Sequence, residues 1–129
     1  MLRSTRIRRA ILVLAALVFA GVAAASLLFP HAMAVPLGYR LDNVDALSEF
    51  RAVYVGLWLA TAVLLALAAK RVEDPLLGDI GALLILGQVF GRLVSLVLDG
   101  VPGPRLWPMC VVELAGGIAL LIVRPPPRS

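Results

Sequence analysis

Four apolar stretches, each near the length of a membrane-crossing helix, take up most of this 129-residue chain. They run from Ala10 to Phe29, from about Ala52 to Ala69, from Leu76 to Leu98 and from Leu106 to Val123. Roughly 20 residues of α-helix cover the roughly 30 Å of bilayer hydrocarbon. Composition agrees, with 61% hydrophobic and 16% charged residues and a mean hydropathy of +0.98. A soluble domain carries more charge than this. A chain this small also buries too little of its surface to hide so much apolar area from water. The sequence therefore predicts one integral membrane domain over residues 1–129. Its fold class is all-α, a four-helix transmembrane bundle with helices at about 10–29, 50–69, 76–98 and 106–123.

The first stretch has a rival reading. Arg3, Arg6, Arg8 and Arg9 precede it, and Ala32-Met33-Ala34 resembles the small-residue site of a cleaved secretory signal. The apolar run is longer than a signal core, so a retained first helix is expected. The net charge of +4 could suggest nucleic acid, but the placement of the basic residues argues for a membrane. Lys70 and Arg71 close the second stretch, and Arg124 and Arg128 follow the fourth. With four spans these share one side with the N-terminal arginines. The other side has only Arg40, Arg105 and, at its boundary, Arg51. The positive-inside rule then places both termini in the cytoplasm. The same charge offers a handle for anionic lipid headgroups, and no basic-aromatic interleaving of the nucleic-acid kind is present.

The first connection, Pro30 to Ser48, is the longest and is expected as an outward loop. Asn43 or Ser48 can cap the helix that follows, with Asp45 and Glu49 favouring its N-terminal dipole. The second connection, Lys70 to Pro75, is short, which makes its two helices antiparallel neighbours. Asp99-Gly100-Val101-Pro102-Gly103-Pro104 is an outward turn. Trp107 then sits at interfacial depth, and Pro108 suits a first helical turn. Pro125-Pro126-Pro127 cannot continue a helix. Gly87 and Gly91, Ala16, Ala20 and Ala24, and Gly116 and Gly117 are small residues at packing positions, suited to a compact bundle or to an oligomer.

Arg92 and Glu113 interrupt the third and fourth stretches. Ionisable groups inside membrane spans are costly, usually paired, and mark functional or specifying sites. Arg92 lies seven residues before Asp99, and Glu113 lies seven after Leu106. Each is then about 10 Å below the outer end of its helix. Opposite charges at one depth on consecutive antiparallel helices can meet. Gln88, Arg92, Ser95 and Asp99 share one helix face. On the second helix Glu49 and Arg51 stand at the outer end, with Tyr54 and Trp58 continuing the Arg51 face. The expected polar cluster is Glu49, Arg51, Tyr54, Gln88, Arg92, Ser95, Asp99 and Glu113, in the outer half of the membrane. The inner half reads as almost featureless.

Three readings of that cluster stand side by side. One is a structural clasp, Arg92 with Glu113, with Gln88 and Tyr54 as hydrogen-bond partners. Another is a pocket open to the outer leaflet, where the second arginine, Arg51, is free for a phosphate or carboxylate. Glu49 and Asp99 at the rim compete for that arginine. The third is a proton relay, which suits an arginine-paired carboxylate poorly. No catalytic residues, metal ligands or cofactors are expected. His31 is the sole histidine, in a loop, and Cys110 the sole cysteine, read as a small buried hydrophobe. No Walker loop, HExxH or GxSxG occurs.

The run Ser48-Glu49-Phe50-Arg51-Ala52-Val53-Tyr54-Val55-Gly56-Leu57, then Gly91-Arg92-Leu93-Val94-Ser95 with Asp99-Gly100, then Glu113, resembles a group of small bacterial four-helix membrane proteins. They are known as a domain of unknown function, the one numbered 4345. The resemblance covers roughly residues 36–123. It implies a bacterial inner (plasma) membrane protein with polar residues at Glu49, Arg51, Tyr54, Arg92, Asp99 and Glu113, and brings no activity or cofactor. The expectation is a non-enzymatic multi-pass protein. It either binds an amphiphilic or anionic-headed small molecule, or serves as a structural or assembly subunit of a larger membrane complex. The partners expected are the lipid bilayer, a lipid or small-molecule ligand, and a second copy or another membrane protein, with no nucleic acid.

Overall fold

The computed structural model describes residues 5–126; Arg3, Pro127 and Arg128 lie outside the described residues. Among those described, all regular structure is helical. The helices are α1 (Thr5–Leu28), α2 (Pro30–Ala34), α3 (Val44–Lys70), α4 (Pro75–Leu98) and α5 (Trp107–Ile122). A 3-10 turn, Val35–Leu37, follows α2. Helix α3 is continuous but winds in three parts: α over Val44–Arg51, π over Ala52–Leu57, and α over Trp58–Lys70. Helices α1, α3 and α4, with 24, 27 and 24 residues, are long and apolar enough to cross a membrane. Helix α5, with 16 residues, is apolar but shorter.

Five helices thus stand where four were expected. The additional one, α2, lies in the stretch read as loop. Pro30 in its first turn and the helix-forming Ala32, Met33 and Ala34 explain it. Helix α3 starts at Val44, because the Asn43 Oδ1 accepts the Ala46 N–H at 2.8 Å and Asp45 occupies the first turn. Asp74 caps α4 through the Leu76 N–H at 2.9 Å, with Pro75 as the first helical residue.

The chief pairings are α1 with α3 and α4 with α5, and α3 against α4 joins the two pairs. Helix α1 buries Arg8, Leu12, Ala16, Phe19, Ala23 and Ser26. Steps of three and four put these on one face. That face meets Trp58, Ala62, Leu65 and Ala69 of α3, with the Phe19 and Trp58 rings edge-to-face at 5.2 Å. Gly81 lies against Leu65, and Gly117 against Leu86 and Ile85, where an added Cβ would collide. The Gly87/Gly91 pair, expected at a helix contact, meets nothing: added Cβ atoms there would find open space. Of the alanine series, Ala16 is buried, Ala20 half-buried and Ala24 exposed.

Burial along α4 reaches Gly78, Gly81, Ala82 and Ile85 and then stops. The shared core therefore fills the end of the bundle that carries the chain termini. Toward the other end the α4–α5 pair parts from α1 and α3. A small separate core of Ala34, Leu41 and Phe50 closes α2 and the start of α3 there. Leu14, Leu17, Leu83, Val111 and Ile122 are among many large apolar side chains left exposed, a surface suited to hydrocarbon.

Candidate functional site

Where the two helix pairs part, a groove of about 340 Å³ opens between α3 and α4. Tyr54 and Trp58 line it from α3, Gln88, Arg92 and Ser95 from α4, and Cys110 from α5. Its surface is predominantly apolar. Arg92 and Glu113 meet at its edge in a two-pronged pair, with Nε donating to Oε2 at 2.6 Å and Nη2 donating to Oε1 at 2.8 Å. The arginine side chain is 31% exposed and the glutamate 10%. Parallel N–H···O bonds of this kind fix geometry as well as adding energy. The matched depth read from the sequence corresponds to this direct contact.

The other expected members of the cluster divide. Ser95 Oγ donates to Asp99 Oδ2 at 2.9 Å, one turn apart on α4. Gln88 lines the groove, but its amide makes no hydrogen bond among the described residues, so it is not a partner of the ion pair. Tyr54 is not one either: its hydroxyl faces that of Tyr39 at 3.4 Å. Glu49 and Arg51 are exposed, lie outside the groove lining and form no ion pair among the described residues. The rim carboxylates therefore do not hold Arg51.

The π segment explains the displacement of Arg51. Regular α winding would have Tyr54 and Trp58 continue its face, but they continue that of Phe50. The rings of Phe50 and Tyr54 stack at 4.6 Å, and those of Tyr54 and Trp58 lie 5.4 Å apart. The wider π turn brings residues four apart closer to one line and pushes Arg51 off it. Tyr39 completes the aromatic wall, edge-on to Phe50 at 6.1 Å and Tyr54 at 6.0 Å. Such π bulges within α-helices are frequent at functional sites.

The terminus-bearing end, read as featureless, is not. Arg8 is 3% exposed and donates from Nη1 to the Val123 carbonyl at 3.1 Å. Its Nε and Nη2 have no partner among the described residues. Gly78 makes room for the guanidinium, since an added Cβ would strike Nη2. Nearby, Arg124 grips Asp79 with Nε and Nη2 at 2.9 Å each. Those bonds raise the Arg124 pKa above its ordinary value. Thr5 Oγ1 donates to Glu73 at 3.0 Å, and Arg9 Nε to the Ala69 carbonyl at 3.2 Å. One signal was available: Arg8 precedes Leu12 by four residues and so shares its face.

Cys110 is half-buried and lines the groove rather than the core. His31 is exposed on α2. Among the described residues, no three His, Cys, Asp or Glu side chains come together as metal ligands. The family model described as Domain of unknown function (DUF4345) matches residues 7–124. The chain belongs to that family. No curated protein and no solved structure matches it. The match places the aromatic wall, the ion pair and the Arg8 contact of this DUF4345 chain inside the family's domain.

Proposed function

We propose that this protein is a non-enzymatic, multi-pass protein of the bacterial inner membrane that holds a lipid-like amphiphile in its lateral groove. Helices α1, α3, α4 and α5 are the four spans, and both termini are cytoplasmic. Helix α5 extends only about 24 Å, less than the hydrocarbon thickness. Trp107 at its start and the exposed Val111, Val112, Ile118 and Ile122 along it support a short, lipid-facing span.

One observation carries the ligand reading. Arg92 is fixed by Glu113 and at the same time lines an apolar groove of about 340 Å³. Ligand pockets are mostly apolar, with a few oriented polar groups, and fall in the range of about 300–1,000 Å³. Native mass spectrometry of protein gently extracted from its own membrane tests the reading. A bound small mass is expected, and it should be lost in Gly91→Leu, which fills the groove where a Cβ meets open space. Protein that is bare, or whose bound mass survives Gly91→Leu, would overturn it.

The open face at Gly87, beside exposed Leu83 and Phe90, favours a second reading, that of a subunit in a larger membrane complex. Then a protein partner should copurify and be released by Gly87→Leu. A monomer in mild detergent counts against it.

A further inference from the structure

We infer that the groove selects an uncharged head group bearing carbonyl oxygens on an apolar tail, rather than an anionic one; this rests on the groove reading above. The charges decide it. Among the described residues Arg92 is the one charged side chain lining the groove, and Glu113 already neutralises it through two hydrogen bonds. Asp99, which accepts the hydroxyl of the lining residue Ser95, adds a negative charge beside the pair. Arg51, the cation that would have received a phosphate, stands outside the lining. An anion entering here meets a neutral pair and an additional carboxylate, and no free positive charge among the described lining residues. It would also lose its hydration in an apolar groove, which is costly without a counter-charge.

The hydrogen-bonding groups point the same way. The Arg92 Nη1 makes no bond among the described residues, and neither does the Gln88 amide, four residues and one turn earlier. Nη1 offers two N–H donors and Gln88 two more. The hydroxyl hydrogen of Ser95 is already used by Asp99. The groove thus presents these donors, with the Gln88 carbonyl as an acceptor beside them, on a neutral background. Their natural complement is an oxygen that accepts without carrying charge, and a carbonyl is the compact form of it. Two kinds of membrane molecule supply that chemistry: the ring of a quinone and the ester of an acylglycerol.

The experiment uses full-length protein in phosphatidylcholine liposomes, with Trp107→Phe so that Trp58 at the groove is the only tryptophan reporter. Three probes are titrated: a decyl-substituted benzoquinone, dioctanoylglycerol and dioctanoyl phosphatidylglycerol. Saturable change in Trp58 fluorescence is expected with the quinone, the diacylglycerol or both, at least tenfold tighter than with the phosphatidylglycerol. Which neutral probe binds tells the two sources apart. Adding Gly91→Leu should weaken binding tenfold or more, which separates occupancy from collisional quenching. The paired change Arg92→Leu/Glu113→Leu removes the guanidinium without stranding a charge and should do the same. Phosphatidylglycerol binding as tightly as the neutral probes would overturn the head-group inference and leave the groove reading standing. No saturable binding by any probe, or binding insensitive to Gly91→Leu, would overturn both.

Discussion

At the scale of residues, the Arg92–Glu113 pair is worth more intact than its parts. Removing one partner strands the other charge in a setting where water is scarce. For a largely buried pair that costs several kcal/mol, whereas replacing both partners by apolar groups is often neutral. With Arg92 31% exposed, the single changes Arg92→Leu and Glu113→Leu should each lower stability by about 2–3 kcal/mol. The double change should recover most of that, as read by thermal unfolding in detergent; a harmless single change would show that the pair does not hold α4 to α5. The pair was legible in the sequence because depth along a helix follows from residue count alone. Arg51 was not, because a face assignment three or four residues away assumes regular α winding, and the π turn at Ala52–Leu57 breaks that assumption. Arg8 was missed for another reason. Among several N-terminal arginines, nothing in composition distinguishes the one whose place on the Leu12 face turns it inward.

Among the elements, glycines separate into those that let helices touch and those that do not. Gly117 lies under Leu86, whose Cδ2 would sit 2.5 Å from an added Cβ. Gly117→Ala should therefore destabilise by about 1–3 kcal/mol through overpacking. Gly87→Ala meets open space and should be neutral, or stabilising by up to about 1 kcal/mol from helix propensity. Denaturation midpoints of the two variants side by side check this; equal losses would mean that α4 packs through Gly87 after all. Spacing alone favoured the GxxxG pair, yet the contacts fell to Gly78, Gly81 and Gly117. A small-residue motif says that a close approach is available on a face, while the neighbour that uses it is set by how neighbouring helices splay. The helices themselves were largely readable, since apolar length fixes them. Helix α2 escaped because five residues are too few to show a period.

For the whole molecule, the topology makes a direct prediction. In a Cys110→Ala background, Val101→Cys should react with a membrane-impermeant maleimide added to intact cells. Arg71→Cys should react only after permeabilisation. The reverse pattern would invert the orientation. A consequence for biogenesis follows from the chain order of the ion pair. Arg92 and Glu113 are 21 residues apart in the chain, so the arginine of α4 is made before the carboxylate that neutralises it. An arginine in a lone span disfavours insertion by at most about 2.5–3.5 kcal/mol on translocon scales, the value at the helix centre. An α4–α5 hairpin that enters lipid as a unit carries that arginine already neutralised by Glu113.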